Sequence, residues 1–375
     1  MAQLRLARVS LGSSGLLPQG PTVTLNISGS TIPRQFRHFF EITMPFCHIC
    51  GEAESLTPHQ PRERMFGWGD PFDYFECPDC GCLQIDQCPD DLARYYPPEY
   101  YSLGVTPDPH PGRSRRWLNW QRLSYRLTGR WALAESMAWR FGPLDHAILR
   151  QLPYLTRLHR LSGLHRHLQF LDVGCGNHSL WLDSLARSGF SRLTGIDPYL
   201  DKQGTRGGVL YLRSTLEDLT GIYDCITFHH SLEHLPDQHA AMDAVARHLA
   251  PGGVCLIRIP LWDSLVAERY GMDWVELDAP RHLYLHTRAS MIRLASAHGF
   301  VIAETLCDST AFEFAGSEQY RSGVALMAPE SFWVRTDGGT FTSDQMRTFN
   351  DLARVANDSG RCGRAAFFLK RAHSE

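Results

Sequence analysis

The stretch that decides the fold is Leu168-Gln-Phe-Leu-Asp-Val-Gly-Cys-Gly-Asn-His-Ser179. An apolar run of strand length is followed by a glycine-rich turn and then by a helix start. Glycines at 174 and 176 let a backbone approach a ligand closely and accept positive φ. Asp172 sets a carboxylate at the end of the strand. Taken alone, this turn supports only nucleotide-like binding.

Outward from it, strands and helices alternate, which predicts a parallel sheet covered by helices. Strands are expected at 168–173, 192–196, 208–213, 223–228, 253–259, 300–306 and 364–370, with helices at 179–188, 238–250 and 288–298 among those between. The second strand ends in Leu193-Thr-Gly-Ile-Asp197, an acid at the offset that suits ribose hydroxyls. The third ends in Arg213-Ser-Thr-Leu-Glu217, placed to flank an adenine. The fourth unit reads Tyr223-Asp-Cys-Ile-Thr-Phe-His-His-Ser-Leu-Glu-His-Leu-Pro-Asp237, and Pro251-Gly-Gly253 turns into the fifth strand.

This ordered set resembles the class I S-adenosylmethionine-dependent methyltransferases over about residues 165–305. The resemblance implies a Rossmann-like, seven-stranded α/β sheet and S-adenosyl-L-methionine as cofactor. It places Asp172, Gly174 and Gly176 around the methionine part, Asp197 on the ribose, Thr215 and Leu216 beside the adenine, and His230 and Ser231 near the sulfonium. His178 stands where the family often has a third glycine. A tolerated left-handed histidine would preserve the turn.

The cofactor carries its own leaving group, so the protein mostly aligns acceptor, methyl and sulfur. A hydroxyl acceptor also needs a base, and His229, His230, Glu233 and His234 cluster after the fourth strand. Side-chain alternation lets only one of His229 and His230 face the site. After the fifth strand, Trp274-Val-Glu-Leu-Asp-Ala-Pro-Arg-His-Leu-Tyr284 offers Asp278, Arg281, His282 and Tyr284 as acceptor contacts, or as pins for that connection. The Asp-Ala-Pro-Arg-His-Leu-Tyr string resembles a class I branch associated with glycan and specialised-metabolite pathways, which implies a small-molecule or glycan acceptor.

Upstream lies a different kind of module. Cys47-His-Ile-Cys50-Gly and Cys77-Pro-Asp-Cys80-Gly are matching knuckles, each able to present two thiolates to one structural zinc ion. Six of the eleven cysteines fall between Cys47 and Cys88. One metal site in a reducing compartment explains that clustering better than a disulfide framework. The acids of this segment disfavour a surface that tracks phosphates.

The boundaries follow: a disordered tail over 1–43, a zinc ribbon over 44–92, a Pro/Tyr-rich connector with helices over 93–160, and the methyltransferase domain over 161–375 with inserts at 260–287 and 308–360. Met44 is a candidate natural start. In the connector, a helix is expected from about 113 to 141, with Trp117, Trp120, Leu123, Leu127 and Trp131 at helical spacing and arginines on its other positions. It either packs its tryptophans on the core with the arginines solvated, or meets a membrane surface through 113–131.

A net charge of −3 gives no global field for nucleic acid, and no run of 18 apolar residues exists. Without a secretory h-region, a cytoplasmic location is the default expectation. Methyl transfer to a small molecule or glycan, most simply at oxygen, is the leading reading. An RNA methyltransferase with a zinc-bearing targeting module and a non-catalytic cofactor-binding scaffold are the alternatives.

Overall fold

The computed structural model describes residues 22–26, 39–43, 45–97, 111–129, 144–335 and 340–372, the first two ranges as backbone only. The tail expected over 1–43 is corrected in part: β1 (Thr22–Asn26) and β2 (Phe39–Thr43) pair antiparallel. Met44, Trp131 and the predicted helix beyond 129 lie outside the described residues.

The main sheet has eight strands: β6 (Gln169–Val173), β7 (Arg192–Ile196), β8 (Gly204–Arg206), β9 (Val209–Leu212), β10 (Tyr223–His229), β11 (Leu249–Pro260), β13 (Phe300–Cys307) and β14 (Arg364–Arg371). Their order is β13-β14-β11-β10-β6-β7-β9-β8. The five strands from β11 to β9 run parallel, and β14 is antiparallel to both neighbours. All seven expected strands are present. The extra one, β8, forms a hairpin with β9 through Gly207-Gly208, both at positive φ. Adjacent glycines between two short runs are a hairpin signal that the helix-and-strand rhythm obscures.

Helices cover both faces: α1 (Arg113–Thr128), α2 (His146–Ser162), α3 (Leu180–Arg187), α4 (Gln238–His248), α5 (Leu265–Tyr270), α6 (Arg288–Ala297), α7 (Ala311–Arg321) and α8 (Ser343–Asp358). The 308–360 connection is therefore largely helical. Both of its helices open with a capping box, Thr310 with Glu313 and Thr342 with Gln345. That reciprocal side-chain-to-backbone pattern is readable in sequence as Thr-x-x-Glu/Gln.

Helix α1 stops at Gly129, whose positive φ closes the last turn. It packs against the turn after α3, where a Cβ on Gly189 would lie 2.9 Å from the Arg116 carbonyl oxygen. Trp120 meets Phe190 edge-on at 5.2 Å, but Trp117 is 54% exposed and Arg122 is buried. The division into buried tryptophans and solvated arginines is thus corrected at both residues. Among the described residues no helix is long and apolar enough to cross a membrane.

A second sheet joins the ribbon to the main domain. Its order is β12-β5-β4-β3, with β3 (Thr57–His59), β4 (Tyr74–Glu76) and β5 (Leu83–Ile85) from the ribbon and β12 (Tyr284–Leu285) from the 260–287 connection. One apolar core runs through both parts, taking Cys47, Ile49, Leu83 and Ile85 together with Phe228, Ile257 and Leu294. The ribbon is built into the main domain rather than hung beside it. At the far side, Cys307 and Cys362 form a disulfide that ties the end of β13 to the approach to β14. This corrects the reading of the scattered cysteines as reduced thiols.

Candidate active site

The loop after β6 is shaped by backbone. Gly174 and Gly176 have φ of 70° and 59°. A Cβ on Gly174 would fall 2.5 Å from the Ser231 Cβ, so the turn lies directly against the end of β10 and only glycine fits. Asp197, ending β7, accepts from the Gly176 N–H at 3.0 Å and from the Tyr199 N–H at 2.9 Å. It thus holds the two turns together. Asp172 is buried. It accepts from the Ser179 hydroxyl at 2.6 Å and the Thr227 hydroxyl at 2.7 Å. Burial lifts its carboxyl to about 6, against the pull of these two donors.

His178 does not adopt left-handed backbone, and its ring lies 4.0 Å from the Asp183 carboxylate. The turn is therefore kept without the left-handed histidine that was expected to preserve it. Leu216 is buried in the core, and the Thr215 hydroxyl is engaged with Asp218 at 3.0 Å. Neither side chain is spare, so an adenine would meet this segment's backbone and rim.

The end of β10 carries the reactive side chains. His229 packs against Trp181 with ring planes tilted by 41° and centroids 4.8 Å apart, and burial, aided by Arg258, lowers its pKa to about 3. His230 has φ of 54°, a strained value for a non-glycine residue that re-aims its ring away from the strand's alternation. Its Nδ1 lies 3.3 Å from Glu233 Oε1, while its Nε2 is buried without a hydrogen-bond partner. Glu233 is fully buried, neither of its oxygens has a hydrogen bond, and burial raises its pKa well above the usual range. Burial also holds His234 neutral, near 3. The structure thus gathers His229, His230, Glu233 and His234 at one strand end.

Three groups that the sequence did not single out complete this floor. Arg258 on β11 stands in register with His229 and pairs with Asp308, which also accepts from the Tyr154 hydroxyl. A charged residue inside Leu256-Ile-Arg-Ile-Pro260, an otherwise apolar strand, was the available signal.

The proposed acceptor contacts divide. Arg281 is completely buried. It pairs with Asp278 at 2.6 Å and Glu63 at 2.9 Å, and donates to the Tyr95 carbonyl at 3.1 Å. Burial pushes the Asp278 carboxyl up, but the Arg281 guanidinium outweighs it and leaves it lowered. Tyr284 sits between His48 Nδ1 at 2.9 Å and the Pro236 carbonyl at 2.8 Å. Asp278, Arg281 and Tyr284 therefore fasten the connection to the ribbon and do not face a ligand. His282 is buried next to His234, with ring centroids 4.8 Å apart.

The four ribbon cysteines converge. The sulfurs of Cys47, Cys50, Cys77 and Cys80 lie within 4.8 Å of one another, with Cys47 and Cys80 3.6 Å apart and Cys50 and Cys77 3.5 Å apart. The Gln84 amide points at Cys47 Sγ, 3.1 Å away, and the Thr287 hydroxyl donates to the Cys80 carbonyl at 2.5 Å.

Residues 144–305 match the model of a methyltransferase domain family. A ubiquinone biosynthesis O-methyltransferase of Sodalis glossinidius is 35% identical over 125 residues, 30% of this chain and 48% of that protein. One from Xanthomonas oryzae pv. oryzae is 42% identical over 115 residues, 28% of this chain and 46% of its own length. The chain spans about half the length of these curated relatives. Among solved structures, an S-adenosylmethionine dependent methyltransferase from Mesorhizobium loti shares 17% identity at a TM-score of 0.38, over 59% of this chain and 97% of its own. At that score the likeness carries no weight. The family match assigns residues 144–305 to a methyltransferase domain, and the mostly parallel sheet order is the Rossmann-like one expected for it.

Proposed function

We propose that the protein transfers the methyl group of S-adenosyl-L-methionine to an oxygen of a small-molecule acceptor, with a structural zinc ion in the ribbon. The observation that carries this reading is convergence. The glycine turn with Asp197, and the strand end with His230, lie on either side of the close contact between Gly174 and Ser231.

When bound, the cofactor supplies an electrophilic methyl on a good leaving group. The chain's residues then have two tasks. Asp197 and the backbone around Gly174 and Gly176 hold the donor, with Thr215 and Leu216 at its rim. His230, set by its left-handed backbone and its contact with Glu233, faces the acceptor side and takes up a hydroxyl proton. His229 and Arg258 make that side polar. The O-methyltransferase names of the relatives favour oxygen as the target. A glycan hydroxyl fits the same floor, and a cytoplasmic location remains part of the proposal.

The zinc assignment rests on the donor set. Tetrahedral zinc with Zn–S near 2.3 Å separates its sulfurs by roughly 3.8 Å. The two shorter sulfur pairs already approach that spacing.

The test is calorimetry on the full chain with S-adenosylmethionine, followed by detection of S-adenosylhomocysteine in the presence of phenolic and sugar hydroxyl acceptors. Binding with acceptor-dependent turnover supports the reading. No binding at millimolar cofactor overturns it.

A further inference from the structure

Beside the proton-accepting histidine lies a group of side chains that methyl transfer does not explain. Glu233, His234 and His282 each bring one ligand atom within 4.8 Å of the others. Glu233 and His234 belong to the turn after β10, whereas His282 comes from the 260–287 connection. A main-chain bond draws them together: the Leu283 N–H donates to the Glu233 carbonyl at 2.8 Å.

The two imidazoles are oriented alike. His234 Nδ1 lies 2.8 Å from the Arg281 carbonyl oxygen, with the Tyr96 hydroxyl farther off at 3.2 Å, and His282 Nδ1 lies 2.7 Å from the Glu276 carbonyl oxygen. A carbonyl only accepts, so each Nδ1 carries the hydrogen and each neutral ring keeps its lone pair on Nε2. Fixing the tautomer by a carbonyl behind the ring is the usual arrangement for a histidine that binds a metal through its other nitrogen. The third member supplies an independent observation. Glu233 is 0% exposed and neither of its oxygens is hydrogen-bonded, the His230 Nδ1 standing 3.3 Å from Oε1 outside hydrogen-bond geometry. A buried carboxylate in that condition is costly unless a cation meets it.

We propose that Glu233, His234 and His282 form a second metal site, distinct from the four cysteines, that takes a divalent transition-metal ion at the acceptor edge of β10. Two imidazoles and one carboxylate suit zinc, iron, cobalt or manganese better than magnesium or calcium, which prefer all-oxygen shells. Three protein ligands leave positions open for water or an acceptor oxygen. The site exists only in the folded chain, because the ribbon-fastened connection delivers His282 to the turn that holds the other two. It does not depend on methyl transfer, because ion content is counted without turnover.

The test uses full-length, zinc-replete protein dialysed against Co(II), with metals counted by plasma mass spectrometry. Wild type is expected to hold one ion per chain more than H282N or E233Q, the difference being cobalt with d–d absorption and no thiolate-to-cobalt charge-transfer band. Unchanged S-adenosylmethionine affinity in H282N serves as the folding control; H234N replaces any variant that fails it. Equal metal content in wild type and all folded variants, or a charge-transfer band accompanying the extra ion, overturns the proposal.

Discussion

The cofactor half of the sheet and the acceptor half are assembled in different ways. Around β6, β7 and β9 the defining contacts are short-range: Asp172 with Ser179 is seven residues apart, and Gly176 with Asp197 is 21 apart. Around β10 and the 260–287 connection they are long-range: Arg281 with Glu63 spans 218 residues, and Tyr284 with His48 spans 236. The donor site is thus made within the main sheet, where Asp172 with Thr227 spans 55 residues. The acceptor side takes its shape from a separate cysteine-rich module. A fold can keep its cofactor chemistry while its acceptor surface is set by what is attached upstream.

The comparison breaks most sharply at the four cysteines. Replacing Cys47 with Ser should abolish tight zinc retention and release β12 from the ribbon sheet. Limited proteolysis should then cut within 260–287, while S-adenosylmethionine affinity changes by less than about threefold. Equal loss of both functions would mean that the two halves are not separable.

Arg281→Met is next. It leaves Glu63 and Asp278 buried and uncompensated, a loss of about 3–5 kcal/mol read from denaturant unfolding. A loss under about 1 kcal/mol would show that the clamp is dispensable.

On the cofactor side, Gly174→Ala combines a steric clash with Ser231 and an unfavourable φ. We expect cofactor affinity to fall by at least about tenfold, with a stability cost on the order of 1–3 kcal/mol. Calorimetry and thermal melts measure the two.

Asp172 gives a pH signature confined to the same half. Its folded pKa of about 6 lies above the ordinary value of 3.8, so the folded state binds the proton more tightly. Stability from this group is therefore present below about pH 4 and is lost as pH rises through about 6. Asp172→Asn should flatten that slope in melts between those limits, and an unchanged slope would reject the assignment.

The smallest effect belongs to the exposed pair of Arg293 and Asp79, which joins α6 to the ribbon with both side chains 44% exposed. Asp79→Asn should leave the unfolding midpoint unchanged within the scatter of replicate measurements in the same assay, because solvent screens so exposed a pair.

Legibility follows the same division. The seven main strands, the glycine turn and the four-cysteine set were readable because periodicity, turn chemistry and knuckle spacing are local. The roles of Asp278, Arg281 and Tyr284 were not. A charged residue near a strand's end can contact a ligand or pin a loop, and only burial by distant residues decides between them. His230 and Glu233 were visible as candidates. The left-handed backbone that re-aims His230, and the complete burial of Glu233, were not.

By itself, then, the sequence determined a parallel α/β sheet with an S-adenosylmethionine-type turn, and a pair of cysteine knuckles that could share one ion. Tertiary structure alone decided that the two modules share a core and a sheet, that Arg281 is a buried clamp, and that His282 stands beside Glu233 and His234. The physical reason is range. Backbone conformation is dictated by neighbours in the chain, whereas burial and charge pairing depend on which remote surfaces exclude water from one another.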